Sequence, residues 1–195
     1  MKNRNVLTDH TLIINEIERS IKFYAWDLIL SFLPNGSFLV GGYIRDIILG
    51  RMNEKVDVDI VVPSNAINIA QSISDKFRVK CIILDRKREV VRIIFNQISI
   101  DLANRVSSTI AGDLESRDLS INSIAYSFHE RCLIDPLDGI RDIEFSVLKT
   151  FTERNLVEDP LRILRCFRFV SELNFEFDNK LKKIIIKQKR KLLLI

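Results

Sequence analysis

Hydrophobic and polar residues follow each other along the chain in patterns that predict both helices and strands. Apolar residues recur at helical spacing across residues 12–33, and the Pro34-Asn35-Gly36 cluster ends this segment. A second helix is predicted from Ser64 or Asn65, either of which can cap it, to about Phe77. The other predicted helices cover residues 44–49, 119–128 and 159–173.

Short apolar runs between the helices predict a sheet. Two of these runs flank the pair Asn96-Gln97, which suits the turn of a hairpin. The predicted strands cover residues 37–40, 56–62, 79–84, 90–95, 98–102 and 133–134. The predicted strands lie among helices in the first part of the chain, whereas the last part is predicted to be helical. We therefore predict an α+β chain, with residues 1–148 as a mixed domain and residues 149–195 as part of a helical one.

Composition adds a modest basic character. The formal net charge is +4 and the pI is about 9.0, which permits an anionic partner without requiring one. Basic residues are dense in the segment Lys180–Lys191. This segment fits either a solvated helix face or a surface that contacts phosphates, and the sequence leaves both interpretations open.

Cysteine usage and apolar runs indicate where the protein acts. Cys81, Cys132 and Cys166 form no CxxC pair, which argues against a zinc site or a disulfide framework and favours a reducing compartment. No apolar run approaches the roughly 20 residues that span a bilayer, so we expect no membrane association. The N-terminus lacks the apolar region of a signal peptide. We expect a cytoplasmic location, or an organelle interior such as the plastid stroma if an organelle encodes the chain.

The pair Asp57 and Asp59 is the sharpest chemical feature. Residues i and i+2 of a strand point to the same face, so both carboxylates should lie side by side while Val58 enters the core. Two such carboxylates repel each other unless a cation lies between them, and their oxygens suit magnesium. The pair can support two-metal phosphoryl transfer, although a lone DxD is more often a solvated face.

A glycine pair before a short helix suggests a phosphate site. Gly41 and Gly42 let the backbone approach a phosphate closely, and the start of the helix attracts anions. Arg45 can then reach a triphosphate, while Asp46 can orient Arg45 or a backbone group. The alternative is a tight strand-to-helix turn with a surface ion pair.

Asp101 is a candidate third carboxylate. Ile98 and Ile100 alternate with Ser99 and Asp101, so Asp101 should face away from the core. On a strand beside Asp57 and Asp59 it can complete the metal site. The alternative is an ordinary exposed aspartate.

Two further segments carry candidate nucleotide contacts. Arg117 and Asp118 can bind a ribose or phosphate, and Asn122 can bind a ribose or a base edge. Asp159 and Arg162 are helical neighbours that can present an acceptor and a donor to a base. The alternatives are that Asp118 or Ser120 caps the next helix, and that residues 159–168 form an ordinary salt-bridged helix.

Taken in order, these segments resemble one known family. The set resembles the class II tRNA nucleotidyltransferases (CCA-adding enzymes) and the bacterial poly(A) polymerases, over residues 36–175. Each motif is weak alone, and the set is specific. The motifs that carry the resemblance are FLVGGYIRDIILG, VDVDIVV, ESRDLSINSIAY, DPLDGIRDIE and EDPLRILRCFRF.

The resemblance implies a fold and a set of roles. It implies a head of the polymerase-β nucleotidyltransferase type (1–148), followed by the start of an all-helical neck (149–195). It implies metal binding by Asp57 and Asp59, with Asp101 as a third catalytic acid, and recognition of CTP or ATP through Watson–Crick-like hydrogen bonds. The predicted nucleotide-binding residues are Gly41, Gly42, Arg45, Asp46, Arg117, Asp118, Asn122, Asp159, Arg162 and Arg165.

The chain also departs from the family. Ser116 stands where the ribose motif usually has a first arginine. The stretch between Asp101 and Arg117 is short, whereas members that make the full CCA usually carry a flexible loop there. Relatives are about twice as long and use further domains to hold tRNA, so a protein partner that supplies such domains is an open expectation.

The predicted function is template-independent addition of C, A or both, from CTP and ATP, to the 3′ end of tRNA, with Mg²⁺ as the cofactor. The alternatives are poly(A) addition, CC-only or A-only addition, and a non-catalytic RNA-binding remnant. The sequence does not separate the enzyme alternatives, because the regions that discriminate between these activities are short or absent. The missing C-terminal domains favour the non-catalytic remnant, whereas the intact pairs Asp57/Asp59 and Asp159/Arg162 disfavour it.

Overall fold

A computed structural model describes residues 6–51, 56–95, 98–157, 159 and 161–192 of the chain. The predicted turn at Asn96-Gln97 lies outside these residues, as do Glu158 and Pro160. Of the basic segment Lys180–Lys191, side chains are described only up to Gln188. The helices are α1 (His10–Phe23), α2 (Gly42–Ile48), α3 (Ala66–Phe77), α4 (Ile110–Glu115), α5 (Gly139–Glu144), α6 (Arg154–Val157), α7 (Leu161–Leu173) and α8 (Asn179–Leu192).

The strands are β1 (Phe38–Val40), β2 (Val56–Val62), β3 (Lys80–Asp85), β4 (Val90–Ile94), β5 (Ile98–Asn104), β6 (Ala125–Ser127), β7 (Leu133–Ile134), β8 (Val147–Leu148) and β9 (Glu176–Phe177). Seven of these strands form one mixed sheet in the order β3-β4-β5-β2-β1-β6-β7. The pairing of β2 with β5 is parallel, and the other neighbours in this sheet are antiparallel. A separate parallel pair, β8 and β9, lies outside this sheet.

The central strand β2 separates two apolar layers. Val56, Val58 and Ile60 are buried in the main core, which also takes the apolar faces of α1 and α3. On the opposite face, Val61 joins a small cluster at the end of the strand, while Asp57 is exposed. The α+β prediction is confirmed, because a mixed sheet carries helices packed on its core face.

Two predicted helices differ from the structure. The segment predicted at 12–33 forms α1, which ends at Phe23, and a separate 3₁₀ helix at Asp27–Phe32. Between them Ala25 has a positive φ of 53°, which interrupts regular helix geometry. The segment predicted at 119–128 is wrong as one helix, because it forms a 3₁₀ turn at Ser120–Asn122 and then β6. Residues 119–127 are all buried, and periodicity cannot separate a helix from a strand when every position is buried.

The start of α3 falls where the sequence predicted it, but the cap differs. Asn65 precedes the helix in a left-handed conformation, and its side chain accepts no hydrogen bond from the first turn. Asn104, at the end of β5, accepts a hydrogen bond from the Ala66 backbone at 3.0 Å instead. The helix is therefore fastened to the sheet by a residue distant in sequence.

The division of the chain at residue 148 stays a prediction. The segment after it is largely helical, as expected. However, β8 precedes this division and pairs with β9, which follows it. Among the described residues, no helix combines the length and the apolar character needed to cross a bilayer.

Candidate active site

Asp57 and Asp59 lie on the same face of β2. Their neighbours Val56, Val58 and Ile60 are buried behind them, whereas Asp57 is exposed and Asp59 is half-buried. This alternation follows directly from the pleat of a strand. The predicted side-by-side placement of the two carboxylates is therefore present.

Gly41 brings the backbone close to the Asp59 carboxylate. It follows β1, where Val40 pairs with Asp59, and it adopts φ 80° and ψ −137°. A Cβ at Gly41 would lie 3.2 Å from Asp59 Oδ2 and 3.3 Å from Arg117 Nη1. Only glycine combines this conformation with this close approach. The glycine pair thus lies beside the acidic pair, where helix α2 begins.

Burial and charge act in opposite directions on Asp59. Burial raises the pKa of the Asp59 carboxyl, and the nearby charges of Asp101 and Asp57 raise it further. Arg117 and Arg165 lower the same pKa by stabilising the ionised form. A cation at this position would relieve the repulsion among the three carboxylates.

Asp101 lies next to Asp59 across the parallel pair of β2 and β5. Both of its oxygens accept hydrogen bonds from Arg92 on β4, at 2.7 Å from Nε and 2.8 Å from Nη2. This bond raises the pKa of the Arg92 guanidinium. Asp101 is therefore beside the acidic pair, as predicted, but it is engaged by an arginine that the sequence analysis did not single out.

Arg45 links helix α2 to the segment after α4. Its Nε and Nη2 atoms donate to Asp46 at 3.0 and 2.9 Å, and its Nη1 donates to Asn122 Oδ1 at 2.7 Å. Its guanidinium also lies 5.0 Å from the ring centre of Phe169 on α7. Burial raises the pKa of Asp46, while the charge of Arg45 lowers it. Asp46 thus holds the Arg45 side chain in place, which is one of the two roles that the sequence analysis proposed for Asp46.

Asp118 forms a buried acceptor between two elements. Its Oδ2 pairs with Arg165 Nε of α7 at 2.8 Å, and its Oδ1 accepts from the Leu119 backbone at 3.0 Å. Arg117 turns the other way and pairs with Asp113 at 3.2 Å. The Nε atom of Arg117 is buried and has no hydrogen-bond partner among the residues that the structure describes. A buried donor without an acceptor is costly.

These side chains line one cleft of about 260 Å³. Arginines from α2, from the segment after α4 and from α7 converge on it, together with the two glycines and Asp59. Converging arginines and glycine backbone suit a group with several phosphates. The described lining residues are Gly41, Gly42, Arg45, Asp59, Arg117, Asp118, Asn122, Arg165, Arg168, Phe169 and Glu172.

Comparison with known proteins identifies the family. Residues 37–149 match the family model described as the poly A polymerase head domain. The chain belongs to the poly A polymerase head-domain family. The resemblance that the sequence motifs carry is thereby confirmed.

Named relatives of this family are similar to the chain over part of their length. A CC-adding tRNA nucleotidyltransferase of Synechocystis sp. (strain ATCC 27184 / PCC 6803 / Kazusa) is 40% identical over 149 residues, which cover 76% of this chain and 36% of the relative. An A-adding tRNA nucleotidyltransferase of Aquifex aeolicus (strain VF5) is 30% identical over 166 residues, covering 76% of this chain and 20% of the relative. A solved complex of a CCA-adding enzyme with ATP superimposes with a TM-score of 0.78 at 27% identity, covering 94% of this chain and 46% of that one. The chain spans less than half the length of each.

The predicted base-reading pair lies beyond the cleft described above. Asp159 Oδ1 accepts from the Leu161 backbone at 2.9 Å and so caps α7. Arg162 Nη1 donates to two backbone oxygens, those of Asn155 at 2.8 Å and Ser116 at 3.3 Å. Base recognition by this pair stays a prediction for the family member described here.

Asn155 is a buried residue that the sequence analysis missed. Its Nδ2 donates to the backbone oxygens of Glu115 at 2.6 Å and Arg117 at 2.7 Å. Together with Arg162 it fastens the segment before Asp118 to α6 and α7. A single asparagine in a polar segment carries no sequence signal for such a role.

The acidic pair fits a metal ion without forming a complete cage. Nucleotidyltransferases of this family are generally metal-dependent. Within the described ranges, no group of three or more His, Cys, Asp and Glu side chains is arranged to hold a metal. Oxygen ligands from Asp57 and Asp59 suit a hard divalent cation that takes its remaining ligands from water and phosphate.

Proposed function

We propose that the chain carries the catalytic head of an RNA nucleotidyltransferase that adds C residues from CTP to the 3′ end of tRNA. The observation that carries this proposal is the pair Asp57 and Asp59 on one face of β2, with Gly41 against Asp59 and an arginine-lined cleft beside them. The cleft supplies the charge that a triphosphate needs, and the carboxylates supply the ligands that a metal needs.

The preference for C and the restriction to one kind of nucleotide rest on separate observations. The Synechocystis relative, at 40% identity, is a CC-adding enzyme, whereas the Aquifex relative, at 30%, is an A-adding one. The stretch between Asp101 and Arg117 is short and folded, since it contains the end of β5 and helix α4. A loop that switches between nucleotides has little room there. Addition of A is the second candidate, because a relative with that activity shares the same head. Poly(A) addition is suggested by the name of the matching family model but by neither of these relatives, and neither relative suggests a non-catalytic RNA-binding role.

The proposed cofactor is Mg²⁺, held by Asp57 and Asp59. A bound divalent cation would make the attacking 3′-hydroxyl more acidic and would neutralise charge on the triphosphate. In the proposed reaction the 3′-oxygen of the RNA forms a bond to the α-phosphorus of CTP. The bond from that phosphorus to the bridging oxygen breaks, pyrophosphate leaves and the hydroxyl proton passes to solvent.

The residues of the chain have distinct proposed roles in this reaction. Gly41 and Gly42 allow the triphosphate to approach the start of α2, and Arg45 supplies positive charge there. In this proposal Arg117, whose Nη1 lies close to Gly41, donates to a phosphate or ribose oxygen. Asp118 holds Arg165 at the cleft wall. Positioning and charge neutralisation then account for catalysis, without a separate protein base.

Substrate and partner contacts beyond this cleft are also proposals. We infer that Asp159 and Arg162 read the base, and that residues 149–195 begin a helical neck. Because the chain spans about a third of the CC-adding relative, contacts to the body of tRNA are expected from further chain or from a protein partner. Lys180 and Lys187 are already engaged with Phe151 and Glu153, so the described part of the basic segment is partly occupied within the protein.

The test is single-nucleotide transfer by the purified chain. A tRNA that ends before CC, and one that ends before A, are each incubated with Mg²⁺ and either CTP or ATP. We expect elongation of the first RNA with CTP. Elongation of only the second RNA with ATP would establish the A-adding alternative, and no transfer under any condition would reject the proposal.

Asp57→Asn and Asp59→Asn test the mechanism. Each keeps the size of the side chain and removes a charged ligand, so we expect transfer to fall by about a thousandfold without loss of fold. Asp75→Asn is the matched control, since Asp75 is exposed and lies on helix α3, whereas the acidic pair lies on strand β2. Undiminished transfer in both active-site variants would remove the proposed mechanism.

A further inference from the structure

A row of side chains crosses the sheet at the acidic pair. Arg92 on β4 pairs with Asp101 on β5, and Asp101 pairs in turn with Asp59 on β2. Neighbouring strands lie about 4.8 Å apart, so each charge in the row is close to the next. Across the sheet, the positive charge of Arg92 is therefore followed by the negative charges of Asp101 and Asp59. The next residue in the row is Val40 on β1, which precedes Gly41.

The contact between Arg92 and Asp101 uses both ends of the carboxylate. Arg92 Nε and Nη2 donate to the two separate oxygens at 2.7 and 2.8 Å. This parallel geometry is the strongest form of an arginine–carboxylate pair. The Asp101 side chain is only 20% exposed, so water competes little for its oxygens. A cation would have to displace a well-made ion pair to gain Asp101 as a ligand.

We propose that Arg92 is a positioning residue that withdraws Asp101 from the cation site, so that Asp57 and Asp59 alone supply its carboxylates. This inference rests on the proposed function and changes the role predicted for Asp101. With two free carboxylates the site holds a divalent cation weakly on its own. The triphosphate of CTP then supplies further oxygens, so the cation and the nucleotide bind together.

The charges in the row give different expectations for three variants. Arg92→Met removes one positive charge and frees Asp101, so cation affinity should rise by about tenfold. Asp101→Asn leaves Arg92 unpaired near the site, so affinity should fall by a similar factor. The double variant Arg92→Met/Asp101→Asn restores the original net charge and removes no ligand. It should bind the cation within about threefold of the unmodified protein.

Mn²⁺ is the probe, because it accepts the same oxygen ligands as Mg²⁺. Electron paramagnetic resonance measures the concentration of free Mn²⁺ at each point of the titration. Titrations are made on the full chain with Mn²⁺ alone and then with Mn²⁺ plus CTP. Thermal denaturation of each variant shows that it is folded. Asp57→Asn/Asp59→Asn fixes the background, and Arg88→Met, an exposed arginine on the β3–β4 turn, is the matched charge control.

The double variant decides the inference. Affinity close to that of the unmodified protein, with tighter binding in Arg92→Met, is the expected result. If Asp101 is itself a ligand, the double variant binds Mn²⁺ at least about tenfold more weakly, and the inference is overturned while the proposed function stands. Absence of Mn²⁺ binding at the Asp57 and Asp59 pair, with and without CTP, overturns both.

Discussion

Replacing Gly41 with alanine separates backbone strain from damage to the cleft, because Gly50 offers a matched position. Both glycines have a positive φ, 80° at Gly41 and 63° at Gly50. A Cβ at Gly41 would crowd Asp59 and Arg117 at 3.2 and 3.3 Å, whereas a Cβ at Gly50 would meet nothing within 4 Å. Only Gly41→Ala therefore pushes on side chains of the proposed active site.

The two variants should lose similar stability and very different activity. A left-handed conformation costs a residue other than glycine about 1–2 kcal/mol, which applies to Gly50→Ala. The conformation of Gly41 costs about 1–3 kcal/mol. For a chain of this size each 1 kcal/mol lowers Tm by about 2–4 °C. Relief of the Gly41 contacts requires movement of a few tenths of an ångström, and a 1 Å misplacement costs about 100-fold in rate. Transfer by Gly41→Ala should thus fall by about tenfold.

The assay compares transfer of CMP to tRNA ending before CC with thermal denaturation of the same preparations. Gly50→Ala should retain transfer within about twofold, because it lowers the stability of the fold without moving any side chain of the cleft. If Gly41→Ala transfers CMP as well as Gly50→Ala does, Gly41 has no special relation to Asp59 and Arg117, and the reasoning is refuted.

Two further predictions concern residues away from the acidic pair. Asn155→Ala should lower the free energy of unfolding by about 1–3 kcal/mol in urea denaturation, because the backbone oxygens of Glu115 and Arg117 lose the donor that the buried Asn155 side chain supplies. The exposed Asn68→Ala should change it by less than about 0.5 kcal/mol, and equal losses would contradict the prediction. The hydrogen bond from Arg131 lowers the pKa of Glu18, so ionised Glu18 stabilises the fold above the ordinary value of 4.5. Glu18→Gln should lower Tm at neutral pH, and the difference from the unmodified protein should vanish as the pH falls through the lowered pKa; a constant difference across pH would refute this linkage.

Much of the site could be predicted from local pattern. The alternation of Val56, Val58 and Ile60 with Asp57 and Asp59 fixes which side chains share a face, and β2 has the predicted bounds. The hairpin of β4 and β5 was predicted as well. With a two-residue turn, its register already places Arg92 opposite Asp101, so this pair was within reach of the sequence.

Other features depend on contacts that no local pattern contains. The parallel pairing of β2 with β5 brings Asp101 beside Asp59, although the two residues are separated by the β3–β4 excursion. Residues 119–128 were predicted to form one helix, and the pairing of β6 with β1 instead makes Ala125–Ser127 a strand. The hydrogen bond from Arg45 to Asn122 likewise depends on how α2 meets the 3₁₀ turn.

The small pairing of β8 with β9 has a consequence for anyone who shortens this protein or recombines it with a relative. Leu148 is fully buried, and its backbone oxygen accepts from Asp178 at 3.1 Å. Truncation after residue 148 would remove β9 and leave β8 with an unpaired apolar edge, which favours self-association. A chimera whose junction lies after Asp178 would keep β8 and β9 together from the same parent. Exchange of the segments on either side of that junction would then show which one determines the choice of nucleotide.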